Sequence, residues 1–391
     1  MQKQIVSPVI ILFTVQFLVM IGFGIVIPIL PFLFTGLGGG ALSLGIFMAS
    51  YSIMQFFFAP FWGRLSDRIG RRPVLLIGLG GYGLTFFLFG IAGNIPLLIA
   101  FRALSGMISS ATLPTVMAYL SDITEGADRS KSMGMIGAAA GLGMIFGPVL
   151  GGWIGDYNIT LPFFVAGGLA LLVLPFAWTL LPETLKKPVE GTTRETPRLS
   201  WSVIHNPSFV LFAFNFILSF TMAMFETTYA LFAAERVGFG PKEMGSVFML
   251  TGIASAIVQG GLIGKLVKKF GDVSIMKAGA YSSAAGFIFI LLAPNKILIV
   301  LASIIFMAGT ALMGPTSTSL VTRQSTHSQG ASLGIFQSFG SLGRMLGPVT
   351  GGALYGVGIT LPYIFGTLIL ITAVLFAGRR IGALVVDETT V

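Results

Sequence analysis

The sequence predicts an all-α membrane protein: twelve transmembrane helices in two pseudo-symmetric bundles of six. Three observations predict it, namely a scarcity of charge, a succession of apolar runs of membrane-crossing length, and a repeat at half the chain. Of the 391 residues, 54% are hydrophobic and 9% charged, whereas an ordinary soluble domain carries about 25% charged residues. Water is therefore not the principal solvent. In lipid every backbone polar group must be bonded internally, so only helices or a closed barrel can span. Runs such as 9–34 and 209–234 exceed the roughly 20 residues that a helix needs to cross, and they lack the strict alternation of barrel strands.

Polar and Gly/Pro punctuation places the spans near residues 8–34, 42–62, 73–93, 96–120, 132–153, 161–181, 208–234, 244–264, 274–293, 297–320, 331–355 and 360–379. The longest hydrophilic stretch, 183–206, is rich in Lys, Arg, Thr and Pro. The expected organisation is an N-terminal six-helix bundle over 1–182, a cytoplasmic linker over 183–207, and a C-terminal six-helix bundle with a short cytoplasmic tail over 208–391. The first apolar run is longer than the about 7–15 residues of a signal peptide core and contains Pro28 and Pro31, so it is expected to be the first span.

Charge fixes the orientation. With both termini inside, 18 of the 23 Lys and Arg fall in cytoplasmic segments, while Arg236, Lys242 and Lys296 lie outside and Arg102 and Arg344 lie within spans. Reversing the topology inverts this asymmetry and breaks the positive-inside rule. The net charge of +9 and pI near 9.9 are thus topology signals, and no nucleic-acid partner is expected.

The halves repeat one another. Phe146-Gly-Pro-Val-Leu-Gly-Gly152 returns as Leu346-Gly-Pro-Val-Thr-Gly-Gly352, and Ile159-Thr-Leu-Pro162 as Ile359-Thr-Leu-Pro362, both at an offset of 200. Gly63-Arg-Leu-Ser-Asp-Arg-Ile-Gly70 has a weaker echo in Gly264-Lys-Leu-Val-Lys-Lys-Phe-Gly271 at an offset of 201. Parallel six-helix repeats are the architecture of alternating-access carriers, whose site lies at the repeat interface.

Four constellations carry candidate chemistry. The loop expected between spans two and three reads Gly63-Arg64-Leu65-Ser66-Asp67-Arg68-Ile69-Gly70-Arg71-Arg72. Its glycines accept φ > 0 in a tight turn, and Asp67 can face basic side chains or a helix N-terminus, a placement favoured by about 0.3–1 kcal/mol. Span five carries Gly137, Gly141, Gly143, Gly147, Pro148, Gly151 and Gly152, and span eleven repeats Gly347 and Pro348. Small residues allow close helix approach, and proline permits a bend, so this is a hinge-like packing surface. Arg102 stands in the middle of span four, in Phe101-Arg-Ala-Leu-Ser-Gly106. Insertion of an arginine there costs roughly 2.5–3.5 kcal/mol, so it requires a partner or a wet cavity. Glu226, in Ser219-Phe-Thr-Met-Ala-Met-Phe-Glu-Thr-Thr-Tyr229, is the one carboxylate deep inside a span. Burial favours a neutral carboxyl and a neighbouring arginine a charged one, so a change of hydration or pairing would load and release a proton. Gln16, Asn215, Gln259 and Gln337 are read as helix fasteners, at about 0.6 kcal/mol for a typical interhelical bond.

Across nearly the whole chain these motifs resemble the major facilitator superfamily and, within it, the twelve-span drug:proton antiporters of the NorA and Bmr type. The resemblance implies that Gly63, Asp67, Arg68, Gly70 and Arg71 form a conformational latch, and that the glycine-proline helix is an exporter signature. It implies that Arg102 is the family's membrane-buried arginine and Glu226 the proton carrier. It also implies a substrate site drawn from Tyr51, Gln55, Arg102, Glu226, Tyr229 and Arg344. The chain departs from those relatives at Thr310-Ala311-Leu312, where they carry a second carboxylate in the tenth span, and in placing Arg344 in the eleventh. One acid against two arginines weakens the inference to cationic substrates and leaves neutral, zwitterionic and anionic compounds open. Glu226 can pair with Arg344 in its own half or with Arg102.

Enzymatic and cofactor readings fail on inventory. The chain has no Cys and two His, with His205 in the linker and His327 in a loop. It lacks a metal-ligand spacing and a phosphate-binding Gly-rich Lys loop, so neither cofactor nor metal is expected. The expected protein is a monomeric, multi-pass carrier of the bacterial plasma membrane that exports small amphipathic compounds in exchange for protons. The alternatives are an exporter of a metabolite such as a sugar or amino acid, and a lipid-handling or receptor-like membrane protein.

Overall fold

The protein is described from a computed structural model covering residues 8–185, 208–324 and 329–386. The greater part of the linker expected over 183–207, the end of the tail, His205 and His327 lie outside the described residues. Within them the regular structure is helical.

Helix α1 (Pro8–Val26) stops before Pro28, which has no N–H to donate. The chain turns through Ile27 N to Gly24 O (3.2 Å) and Ile29 N to Val26 O (3.2 Å) and restarts as α2 (Leu30–Gly36), with Pro31 in its first turn. The run 8–34 expected as one helix is thus broken near its end. Then follow α3 (Ala41–Ile69), α4 (Arg71–Ile91), α5 (Ile95–Ser109), α6 (Thr112–Ile123), α7 (Gly126–Tyr157) and α8 (Leu161–Leu180). The second half comprises α9 (Phe209–Val237), α10 (Pro241–Ile257), α11 (Ile263–Phe270), α12 (Asp272–Leu292), α13 (Lys296–Gln324), α14 (Gln329–Val357) and α15 (Leu361–Val386). A π-helical turn, Val258–Leu262, joins α10 to α11.

Ten helical segments among the described residues are long and apolar enough to cross a membrane, with Ile95–Ile123 and Pro241–Phe270 each counting as one. Helices α14 and α15 follow them, which is consistent with the twelve spans expected.

The repeat extends to the backbone. Gly38 and Gly238 have φ of 75° and 65°, and Gly70 and Gly271 have φ of 111° and 78°. Asn94 caps α5 by accepting from Leu97 N (2.9 Å), and Asn295 accepts from Leu298 N (3.0 Å). At Gly70 a correction is needed: α3 runs through Ile69, so Gly63 is an interior helix residue and not a loop residue. Gly70 alone makes the turn into α4.

The chain divides into two compact units. Among the described residues, unit 1 takes 8–39, 50–185 and 240–249, and unit 2 takes 40–49, 208–239, 250–324 and 329–386. The units follow the two sequence halves, except that the first residues of α3 belong to unit 2 and those of α10 to unit 1. Within unit 1, α1 packs along α7 and α8, and α4 along α8, α5 and α6. Within unit 2 the counterparts recur: α9 packs along α14 and α15, and α12 along α15 and α13.

Glycine sets the closest of these approaches. A Cβ built on Gly147 of α7 would stand 2.6 Å from the Ile21 carbonyl oxygen of α1, and one on Gly151 would overlap the Ile25 carbonyl. On α14, a Cβ at Gly343 would stand 2.5 Å from Phe216 O of α9, and one at Gly347 would overlap the Phe220 carbonyl. Asn215 closes the same α9/α14 seam, its Nδ2 donating to Phe336 O at 2.7 Å.

Candidate functional site

Arg102 is 4% exposed and lies among aromatic rings from two other helices of unit 1. Its guanidinium carbon is 4.5 Å from the Tyr51 ring centre on α3 and 5.5 Å from that of Phe23 on α1. Cation–π contacts contribute about 2 kcal/mol when desolvated, comparable with the cost of placing an arginine in a span. Tyr51 is held in turn by Ser109, whose Oγ donates to Tyr51 Oη at 3.0 Å. Gly106 lets α5 approach, since a Cβ there would lie 2.9 Å from Tyr51 Cα. Gln55 stands one turn beyond Tyr51 on α3 and is partly exposed. Tyr51 and Arg102 therefore belong to one neighbourhood, with Gln55 one turn along α3.

Glu226 lies on the stripe Ser219, Ala223, Glu226 of α9. That stripe borders α14, because Gly343 meets Ser219 and Gly347 meets Ala223. The residue as a whole is half-buried. Arg344 stands on the facing helix α14, next to Gly343. The arginine is exposed, with Nη2 donating to Ser341 Oγ at 3.3 Å. Mid-span charges are tolerated where they meet a partner or water. Unit 2 thus carries Glu226 and Arg344 on two helices that pack together.

Tyr229 is placed differently. It is fully buried, its ring stacks on Phe225 at 4.6 Å, and Ser303 Oγ donates to its hydroxyl at 2.6 Å. It serves the aromatic core of unit 2 and presents no open face to a solute.

The latch residues form a network with two further acids. Arg71 Nη1 is 2.6 Å from Asp67 Oδ1, and its Nε is 3.1 Å from Asp122 Oδ2 at the end of α6. Nη1 also donates to Ser66 Oγ at 2.8 Å. Glu183, just beyond α8, accepts from the backbone N–H groups of Arg71 (2.9 Å), Arg72 (3.1 Å), Thr184 (2.9 Å) and Leu185 (3.0 Å). Burial by itself raises the Glu183 carboxyl, but the N–H groups of Leu185, Arg71, Arg72 and Thr184 outweigh it and hold it below the usual carboxylate range. Gly70 is required here twice over, since its φ is 111° and the Glu183 carboxylate fills the space a Cβ would need. Gly63 takes part through its carbonyl, which accepts from Ser66 Oγ at 2.8 Å, while Arg68 is exposed.

Sequence reading placed Glu183 in the linker and left Asp122 aside. The available signal was an acid directly after Leu181-Pro182, at the end of a span, opposite a basic loop. Hydrogen bonds to charged groups contribute about 1.5–3 kcal/mol. Arg71→Gln is therefore expected to cost the purified protein about 2 kcal/mol, seen as a lower melting temperature. Arg71→Gln/Asp122→Asn is expected to recover part of that loss by removing an acid left without its cation.

Two helical units, mid-span charges and a polar network at the α3/α4 turn define a polytopic α-helical membrane protein. The chain matches the Major Facilitator Superfamily over residues 12–348 and again over 260–388, and it belongs to that family. It is 29% identical over 369 residues to Multidrug resistance protein 2 of Bacillus subtilis, covering 93% of this chain and 92% of that one. It is 29% identical over 350 residues to the quinolone resistance protein NorA of Staphylococcus aureus, covering 88% and 89%. Among solved structures it is similar to the nucleoside transporter NupG, with a TM-score of 0.76 at 15% identity over 96% of this chain and 99% of that one. That last likeness is one of fold.

Proposed function

We propose that the protein exports small amphipathic compounds across the bacterial plasma membrane in exchange for protons, with Glu226 as the proton carrier. The observation that carries the reading is the single deep acid: it is half-buried, lies on the stripe of α9 that borders α14, and faces the helix that carries Arg344. Membership of the superfamily and similarity to proteins named for multidrug and quinolone resistance support export of drug-like solutes. Protonation from outside favours release of solute and return of the empty carrier, and deprotonation inside restores binding. Tyr51 and Gln55, both half-buried, supply an aromatic and polar surface for the solute with the charge of Arg102 behind them, and both termini lie in the cytoplasm by the charge distribution.

The test is a growth panel over dyes and antibiotics in cells with and without the protein, followed by everted vesicles in which a protective compound is added and proton movement is read. Protection against several unrelated amphipathic compounds, with proton release on their addition, is expected; protection without proton movement would overturn the coupling. The excess of Arg102 and Arg344 over Glu226 favours anionic or zwitterionic solutes within this class. Anionic dyes are accordingly expected to compete for efflux better than cationic dyes of similar size, and the reverse order would remove the two arginines from the solute site.

A further inference from the structure

A groove between α4 and α8 of unit 1 is not used by the transport cycle proposed above. It has a volume of about 720 Å³ and is formed by the first turns of α4 and the last turns of α8, with Leu76, Ile77 and Leu174 along its trough and Arg72, Trp178 and Glu183 at its mouth. Ligand sites commonly span about 300–1,000 Å³. Ile77, Leu84, Phe176 and Trp178 are 45%, 57%, 55% and 61% exposed, a density of open apolar side chains that in a membrane protein marks the face covered by acyl chains. Arg64, Arg68, Arg71 and Arg72 cluster at the same end, which the charge distribution assigns to the cytoplasm. Trp178 lies in the last turn of α8, and aromatic residues at span ends mark the headgroup level.

The mouth is electrically one-sided. The Glu183 carboxylate is occupied by four backbone N–H donors from residues 71, 72, 184 and 185. The Arg72 guanidinium has no carboxylate within ion-pair distance among the described residues. One Nη donates to the Trp178 carbonyl, and the guanidinium carbon stands 5.9 Å from the Trp178 ring centre, which fixes the group over the groove with donors to spare. A fixed guanidinium is suited to phosphate oxygens, and basic sites between spans on the cytoplasmic side suit lipid head groups. We infer that this groove binds an anionic phospholipid of the cytoplasmic leaflet, its phosphate on Arg72 and one acyl chain along Leu76, Ile77 and Leu174. Such a lipid bridges α4 and α8 beside the Glu183 tie, so leaflet composition bears directly on the latch end of the unit. The inference rests on the orientation given by charge and not on export, and it fails or stands separately from proton coupling.

The test uses the full chain with Trp62→Phe, Trp153→Phe and Trp201→Phe, leaving Trp178 as the fluorophore, in vesicles of phosphatidylcholine and phosphatidylglycerol with one or the other brominated. Brominated phosphatidylglycerol is expected to quench Trp178 with about fivefold preference, the factor of one arginine at an anionic surface. Arg72→Gln is expected to bring the preference to about one, Arg72→Lys to keep part of it, and Arg129→Gln, outside the groove, to leave it unchanged. Leu174→Phe, which fills the trough, is expected to weaken quenching by both lipids and checks the site should Arg72→Gln fail to insert. Equal quenching by the two lipids in the parent, or a preference surviving Arg72→Gln, would overturn the inference. So would quenching indifferent to headgroup but relieved by tetraphenylphosphonium, which would make the groove a solute site.

Discussion

Glu226→Gln is expected to abolish proton-driven accumulation of solute in everted vesicles while leaving downhill equilibration of the same solute in place. Glutamine matches the size of the side chain, so the α9/α14 seam that Ser219, Ala223 and Glu226 border keeps its packing. What is lost is a group that changes charge. A proton crossing 100 mV gains about 2.3 kcal/mol, which sustains roughly a fiftyfold solute gradient per coupled charge. Without a titrating group that gradient is expected to fall to about one, and the efflux rate to lose its dependence on pH. Tracer uptake at several pH values, with and without an imposed pH difference, reads both quantities. Wild-type accumulation and pH dependence in the variant would show that the proton travels elsewhere.

The parts of this arrangement that were legible in the sequence are those set by local chemistry or by repetition. Glu226 and Arg344 stand out because a charge inside an apolar run is costly, while the choice between Arg344 and Arg102 as partner stayed open. The offset repeats foretold Gly70 and Gly271, since a left-handed backbone position selects glycine in both copies. Prolines 28 and 31 were visible, but an apolar run reports crossing length and not continuity, so the break between α1 and α2 was not foreseen. Asp122 and Glu183 were missed for another reason. Glu183 reaches backbone amides 112 and 111 residues away, and no periodicity marks which acid folds back onto which helix start. Tyr229 was chosen by resemblance, and its side chain is spent on Ser303 and the Phe225 ring, an outcome that only packing decides.

The glycines of α7 divide in a way the sequence did not show, and the division gives the largest expected effect on folding. A Cβ on Gly151 would lie 2.8 Å from Ile25 Cα and closer still to its carbonyl, whereas nothing lies within 4 Å of a Cβ on Gly137 or Gly141. Overpacking a core whose side chains can yield costs about 1–3 kcal/mol. At Gly151 the obstacle is backbone, so α1 and α7 must separate to admit any larger residue. Lipid exerts no hydrophobic force to hold them together afterwards, because close packing is itself the source of association. Gly151→Leu is accordingly expected to remove most of the monodisperse protein recovered after detergent extraction and to abolish efflux. Gly137→Leu, a change of the same size on the same helix, is expected to leave yield and efflux near those of the parent. Gly347→Leu on α14 is expected to repeat the Gly151 result, since its Cβ meets the Phe220 carbonyl of α9 in the same manner. Size-exclusion profiles of the three variants, run beside efflux in cells, decide the matter. Equal losses at Gly137 and Gly151 would mean that helix propensity, and not the approach of two backbones, sets the requirement for glycine.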